Sequence, residues 1–220
     1  ASLIKVTVFL GQKDYGAAKG LLSGLIAENP ESDLPLTMMA TVSTAEQDYD
    51  TALEMYRRII QLNPQNFPAY MRMAYLYRNR GDIDKAIDVY ETLLSVNESY
   101  GPAANDLAYL YADRNENLDH ALTLALKAKN LMPRNADVAD TLGWVYLKKG
   151  ALILAKNQFI EAIGLAPGHP VFHYHLGLTY YQERDFSKAE GTFREAIKLG
   201  LGKEESARAK RMIEEMETKG

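Results

Sequence analysis

Three of the four histidines of this 220-residue chain fall within one short stretch, "GHPVFHYHLG", residues 168–177. Closely spaced imidazoles can ligate a metal or move a proton, so His169, His173 and His175 are the first residues to weigh. Pro170 is a favoured first helical residue, and a helix starting there sets the direction of each ring. His173 and His175 are two residues apart, about 200° round a helix at roughly 100° per residue, so they point to nearly opposite faces. His169 precedes the helix. No His-Glu-x-x-His pattern or carboxylate partner is evident nearby. The chain contains no cysteine, which removes thiolate metal sites, disulfides and cysteine nucleophiles together. It also lacks a Gly-x-Ser-x-Gly nucleophile turn, a phosphate-cradling loop and a dinucleotide fingerprint. The expectation is a chain with no catalytic residue, no metal and no cofactor, in which His173 packs and His175 faces sideways.

Composition narrows the partners. A formal net charge of −4 leaves no basic excess to neutralise phosphates, which argues against nucleic acid. No apolar run approaches the ~20 residues that a membrane-spanning helix needs. The opening "ASLIKVTVFLG" does not follow the basic, apolar, small order of a secretion signal.

The elements that would carry the histidines are repeated. "AYMRMAYLYRNRGDIDKAIDVYETLL", "AANDLAYLYADRNENLDHALTLALKAKNLMP", "VADTLGWVYLKKGALILAKNQFIEAIGLAP" and "VFHYHLGLTYYQERDFSKAEGTFREAIKLG" align as helix, polar turn, alanine, helix. Ala18, Ala52, Ala86, Ala121, Ala155 and Ala189 mark one point at intervals of 34 residues, or 35 where the turn "DRNENLD" has one residue more. Pro30, Pro64, Pro133 and Pro167 stand after second helices, where proline stops a helix for want of an N–H.

Leu142, Gly143, Tyr146, Ala155, Phe159, Ala162 and Pro167 form a pattern that resembles the tetratricopeptide repeat (TPR). Leu176, Gly177, Tyr180, Ala189, Phe193 and Ala196 repeat it. Tyr70, Met73, Ala74, Tyr77, Ala86 and Tyr90 give a third instance. The resemblance implies an all-α, right-handed superhelical solenoid of about six helix pairs plus a C-terminal capping helix. The expected units are 1–32, 33–66, 67–100, 101–135, 136–169 and 170–203, in one solenoid closed by a cap over 204–220. Ala209, Met212, Ile213 and Met216 supply the apolar stripe of that cap. The first unit is irregular: "LIKVTVFLG" alternates partly like a strand, and Gly16, Gly20 and Gly24 recur along its second helix. A fainter likeness of units four to six to long bacterial TPR proteins, exopolysaccharide-associated lipoproteins among them, tilts the compartment towards the periplasm or export.

The same resemblance implies that one face of each first helix lines a concave groove that binds peptides or helices. Its residues here are Met71, Tyr75, Arg78 and Asn79, then Asn105 and Tyr109, then Asp140, Trp144 and Lys148, then Tyr174, Leu178 and Tyr181. Aromatic, arginine and asparagine side chains on such a face suit recognition. Tyr75, Tyr109 and Trp144 share one slot as an aromatic ladder of anchors, and Arg78, Asn79, Asn105 and Asp140 would set polar register. The lysine and asparagine pair with which chaperone-binding members clamp a terminal carboxylate is missing. The function expected is a protein–protein interaction scaffold for a protein or peptide partner. The rival expectations are a homo-oligomer stacking through its end repeats, and a targeting segment of a larger enzyme.

Overall fold

Short polar side chains punctuate the chain at the points where helices begin. Asp14, Asp48, Asn66, Asn135 and Asp185 each accept a hydrogen bond from the backbone N–H three residues ahead. That bond satisfies a donor that the first turn leaves free. The computed structural model describes residues 2–218. Thirteen helices occur among them, the first twelve in six pairs. The pairs are α1 (Ser2–Gly11) with α2 (Tyr15–Glu28), α3 (Asp33–Ala45) with α4 (Tyr49–Leu62), and α5 (Phe67–Asn79) with α6 (Ile83–Val96). They continue as α7 (Gly101–Asp113) with α8 (Leu118–Leu131), α9 (Ala136–Lys148) with α10 (Leu152–Leu165), and α11 (Pro170–Gln182) with α12 (Phe186–Lys198). The last helix is α13 (Lys203–Glu217). The strand-like opening is therefore helical. Register and the burial of Val6 with Ala18 and Leu22 override its β-branched composition.

Each turn inside a pair is closed by one residue in the left-handed region: Lys13, Gln47, Gly81, Asn115, Gly150 and Arg184. Only two of them are glycine, so the turn is imposed by the packing of the helices it joins. The longer turn of the fourth pair takes its extra residue through a second left-handed position, Asn117.

The helices form two compact units, one up to Glu98 and one from Ser99 onward. In the first, Val6, Ala18, Leu22, Met39 and Val42 make a cluster shared by α1, α2 and α3. In the second, Ala139, Ala162 and Phe172 join α9, α10 and α11. Gly143 and Gly177 leave room for an aromatic ring of the paired helix. A Cβ at either would lie 2.6 Å from the ring of Phe159 or Phe193. The Gly16, Gly20 and Gly24 stripe behaves differently: no neighbour comes within 4 Å of a Cβ built on Gly20 or Gly24.

Ion pairs join successive pairs of helices in two complementary ways. Asp50 on α4 meets Arg80 in the following turn, and Asp119 on α8 meets Lys149. Where Gly16 and Ile153 replace that acid, the turn carries Glu46 or Glu183 and the helix supplies Lys19 or Lys156. Sign is exchanged and the join is kept. Exposed pairs of this sort contribute no more than about 1 kcal/mol each, so they tune register more than stability. In the second unit α13 packs on α12 through Ala209, Ile213 and Met216, and Met212 is half-buried beside them.

Candidate functional site

The expected recognition residues all lie on the first helices of their pairs, and their exposure differs from one helix to the next. In the first unit, α5 presents Tyr75 with 54% of its surface exposed. Met71 and Arg78 beside it are half-buried, and Asn79 is exposed.

The second unit is more closed. Asn105, Tyr109, Lys148 and Tyr181 are half-buried, while Asp140, Trp144, Tyr174 and Leu178 are buried. Only 8% of Trp144 reaches solvent, so it is a packed ring and not an open anchor. The physical reason is the next helix along. His175 of α11 stacks on the Trp144 indole with ring centroids 4.4 Å apart, and Phe159 lies 5.5 Å from the same imidazole. Lys148 adds its ammonium 4.7 Å from the indole centroid. Tyr174 is covered in turn: its ring lies 5.8 Å from Phe193, and burial chiefly raises its hydroxyl above the ordinary value, with Arg208 of α13 opposing. Tyr181 donates its hydroxyl to Glu215 of α13 at 3.3 Å.

The histidines reverse their expected roles. His175, placed by sequence on a side face, is 5% exposed, and its Nδ1 lies 2.8 and 3.0 Å from the two carboxylate oxygens of Asp140. A carboxylate partner therefore exists, one repeat away on α9 and invisible to local motif reading. His173, expected to pack, is half-buried with Nε2 2.9 Å from the Pro167 carbonyl. His169 stacks on Phe172 at 4.1 Å. Asp140 and His175 are 35 residues apart, and residues one repeat apart meet on neighbouring first helices. That spacing is the signal that could have paired them. Among the described residues no group of three or more histidine, cysteine or acidic side chains could hold a metal. No helix among them is long and apolar enough to cross a membrane.

Helix pairs of this length, with the alanine, glycine and aromatic slots in register, match known proteins. Models of the tetratricopeptide repeat fit residues 43–107 and 141–204, together more than half of the chain. The chain belongs to the tetratricopeptide repeat family. Among solved structures, a tetratricopeptide repeat protein from Parabacteroides merdae aligns over 97% of this chain and 96% of its own, with TM-score 0.70 and 17% identity. YrrB, described as a TPR protein with an unusual peptide-binding site, aligns over 86% of this chain and 97% of its own, with TM-score 0.65 and 22% identity. Yeast Tom70 aligns over 92% of this chain and 43% of its own, with TM-score 0.67 and 17% identity. At these identities the likeness is one of fold. A curated relative, the ycf37 protein of Pyropia yezoensis, is 28% identical over 87 residues, which span 38% of this chain and about half (49%) of that protein. TPR proteins are in general non-catalytic scaffolds for protein–protein contacts, and this chain has their solenoid fold.

Proposed function

We propose that this TPR chain is a non-enzymatic scaffold that takes a peptide or helix on the outward faces of its first helices. The observation that carries the reading is Tyr75. A large aromatic ring standing 54% exposed, on a helix whose Tyr70, Met73, Leu76 and Tyr77 are buried, supplies contact area at low entropic cost. Met71, Arg78 and Asn79 would frame it in the first unit. In the second unit Asn105, Tyr109, Lys148 and Tyr181 offer polar and aromatic contacts over a floor of Asp140, Trp144, Tyr174 and Leu178. The similarity to YrrB, a protein described by its peptide-binding site, supports the same reading. Short peptides selected from a display library against the full chain test it. Tyr75→Ala should weaken the selected peptides at least about fivefold, the effect of losing ~1 kcal/mol of contact. Selection of no peptide, or binding indifferent to Tyr75, would sink the proposal.

A second reading, stacking of copies through the first repeat, has its own support. Val8 is 50% exposed, whereas the same slot is buried at Val42, Leu76, Val145 and Thr179. Val42 is covered by Ala18 and Leu22 of the preceding pair, and Ile4, one turn before Val8, is 71% exposed. Light scattering that reports a monomer at every concentration would dismiss this reading.

A further inference from the structure

Four buried side-chain polar atoms in the described chain have no hydrogen-bond partner, and two of them lie on the recognition face of the second unit. One is Trp144 Nε1, a donor on α9. The other is Asn105 Oδ1, an acceptor on α7, whose amide nitrogen donates to Asp106 Oδ1 at 3.2 Å. A buried polar atom without a partner is costly, so native interiors rarely keep one without a reason. Trp144 is more than nine-tenths buried, and no acceptor among the described residues takes its indole N–H: the His175 imidazole lies stacked on the indole face and Lys148 has no acceptor atom to offer. Lys148 is itself lightly held. Apart from the indole face, its ammonium reaches, among the described residues, only the Asp113 carbonyl, at 3.5 Å, and no carboxylate among them fixes it over Trp144.

The two orphans have opposite polarity and sit on first helices that pack directly together within the second unit. One vacant donor and one vacant acceptor are what the main chain of an extended peptide complements, since each residue brings a carbonyl and an N–H. A ligand recognised by charge would instead need paired cations. For an anionic ligand the surroundings are unfavourable: the buried carboxylate of Asp140 lies one turn before Trp144 on the same helix as Lys148.

We infer that Trp144 and Asn105 form a main-chain recognition site, in which the indole N–H donates to a peptide carbonyl and Asn105 Oδ1 accepts a peptide N–H. The inference rests on the scaffold reading above and makes it more specific: on α7 and α9 the partner is read by its backbone, so its side chains there can vary. Trp144 then serves as the floor of the site, held flat by His175, and Lys148 as a movable cover.

The test uses the full chain and the peptides selected against it. Trp144 is the only tryptophan, so its indole N–H gives a single NMR cross-peak, which should move downfield and exchange more slowly when a peptide binds. Trp144→Phe keeps the stacking ring and removes the N–H, and Asn105→Ala removes the acceptor. Each should weaken binding about tenfold, equivalent to ~1.4 kcal/mol. Methylating the peptide nitrogens one at a time should find one position that weakens binding to the wild type about tenfold and leaves binding to Asn105→Ala unchanged. An indole signal unmoved by a bound peptide, or methylated peptides that all bind the wild type equally, would overturn the inference while leaving the scaffold reading intact. A chain that selects no peptide overturns both. The NMR readout does not depend on the folding of either variant.

Discussion

Replacing His175 by leucine should strand the Asp140 carboxylate. The two side chains are 6% and 9% exposed, and His175 is the only donor that reaches Asp140 among the described residues. Removing one member of such a buried pair typically costs about 3–5 kcal/mol, because the remaining charge keeps its desolvation penalty and loses its partner. At ~2–4 °C per kcal/mol for a chain of this size, His175→Leu should lower the melting temperature by roughly 6–20 °C. Asp140→Leu leaves only an unpaired imidazole N–H and should cost less, about 1–3 kcal/mol. With both replaced, an apolar pair fills the space between α9 and α11, and stability should return to within about 1–2 kcal/mol of the wild type. Urea unfolding followed by Trp144 emission is the assay, since the indole lies 4.4 Å from the imidazole it would report on. The cycle should give a coupling of at least about 1.5 kcal/mol. A coupling below about 0.5 kcal/mol would mean that the two residues act independently and that something else holds the two helices in register.

Two other perturbations probe the fold. Gly177→Ala would place a methyl 2.6 Å from Phe193, and it should destabilise by about 1–3 kcal/mol, with Phe193→Leu in the same chain recovering part of the loss. Recovery would fail if the glycine were needed for its backbone and not for space. In the first unit, hydrogen bonds from Lys19 chiefly, and from Thr51, hold the Asp48 carboxyl below its ordinary value. A carboxylate whose pKa is depressed in the folded state adds stability above its unfolded pKa of about 3.9 and loses it as pH falls through the folded value. Asp48→Asn should therefore flatten the acid limb of the stability curve below about pH 4 and leave its shape near neutrality unchanged. An acid limb identical in the variant would refute the assignment.

Much of this architecture is written in local spacing. The alanines at Ala18 through Ala189, the cap residues at Asp14, Asp48 and Asp185, and the prolines after the second helices all act within a few residues of themselves. Contacts in such a repeat reach only the next unit, so period and register could be read without coordinates. The partial strand pattern of residues 3–11 misled only so long as it was read apart from that register. Asp140 and His175 were each assignable to a slot, but their pairing depended on how two first helices 35 residues apart approach one another.

The same division separates Tyr75 from Trp144. Sequence alone put both rings on one slot of the repeat, because slot is a matter of counting along a helix. It could not say that one ring stands open and the other lies packed under Lys148 and His175. Exposure is a property of what the neighbouring helices bring to that slot, and those side chains come from elsewhere in the chain. Counting therefore determined the fold and the faces of its helices. Tertiary packing decided which histidine is buried, which aromatic side chain of that slot stands exposed, and where buried polar atoms are left without a hydrogen-bond partner.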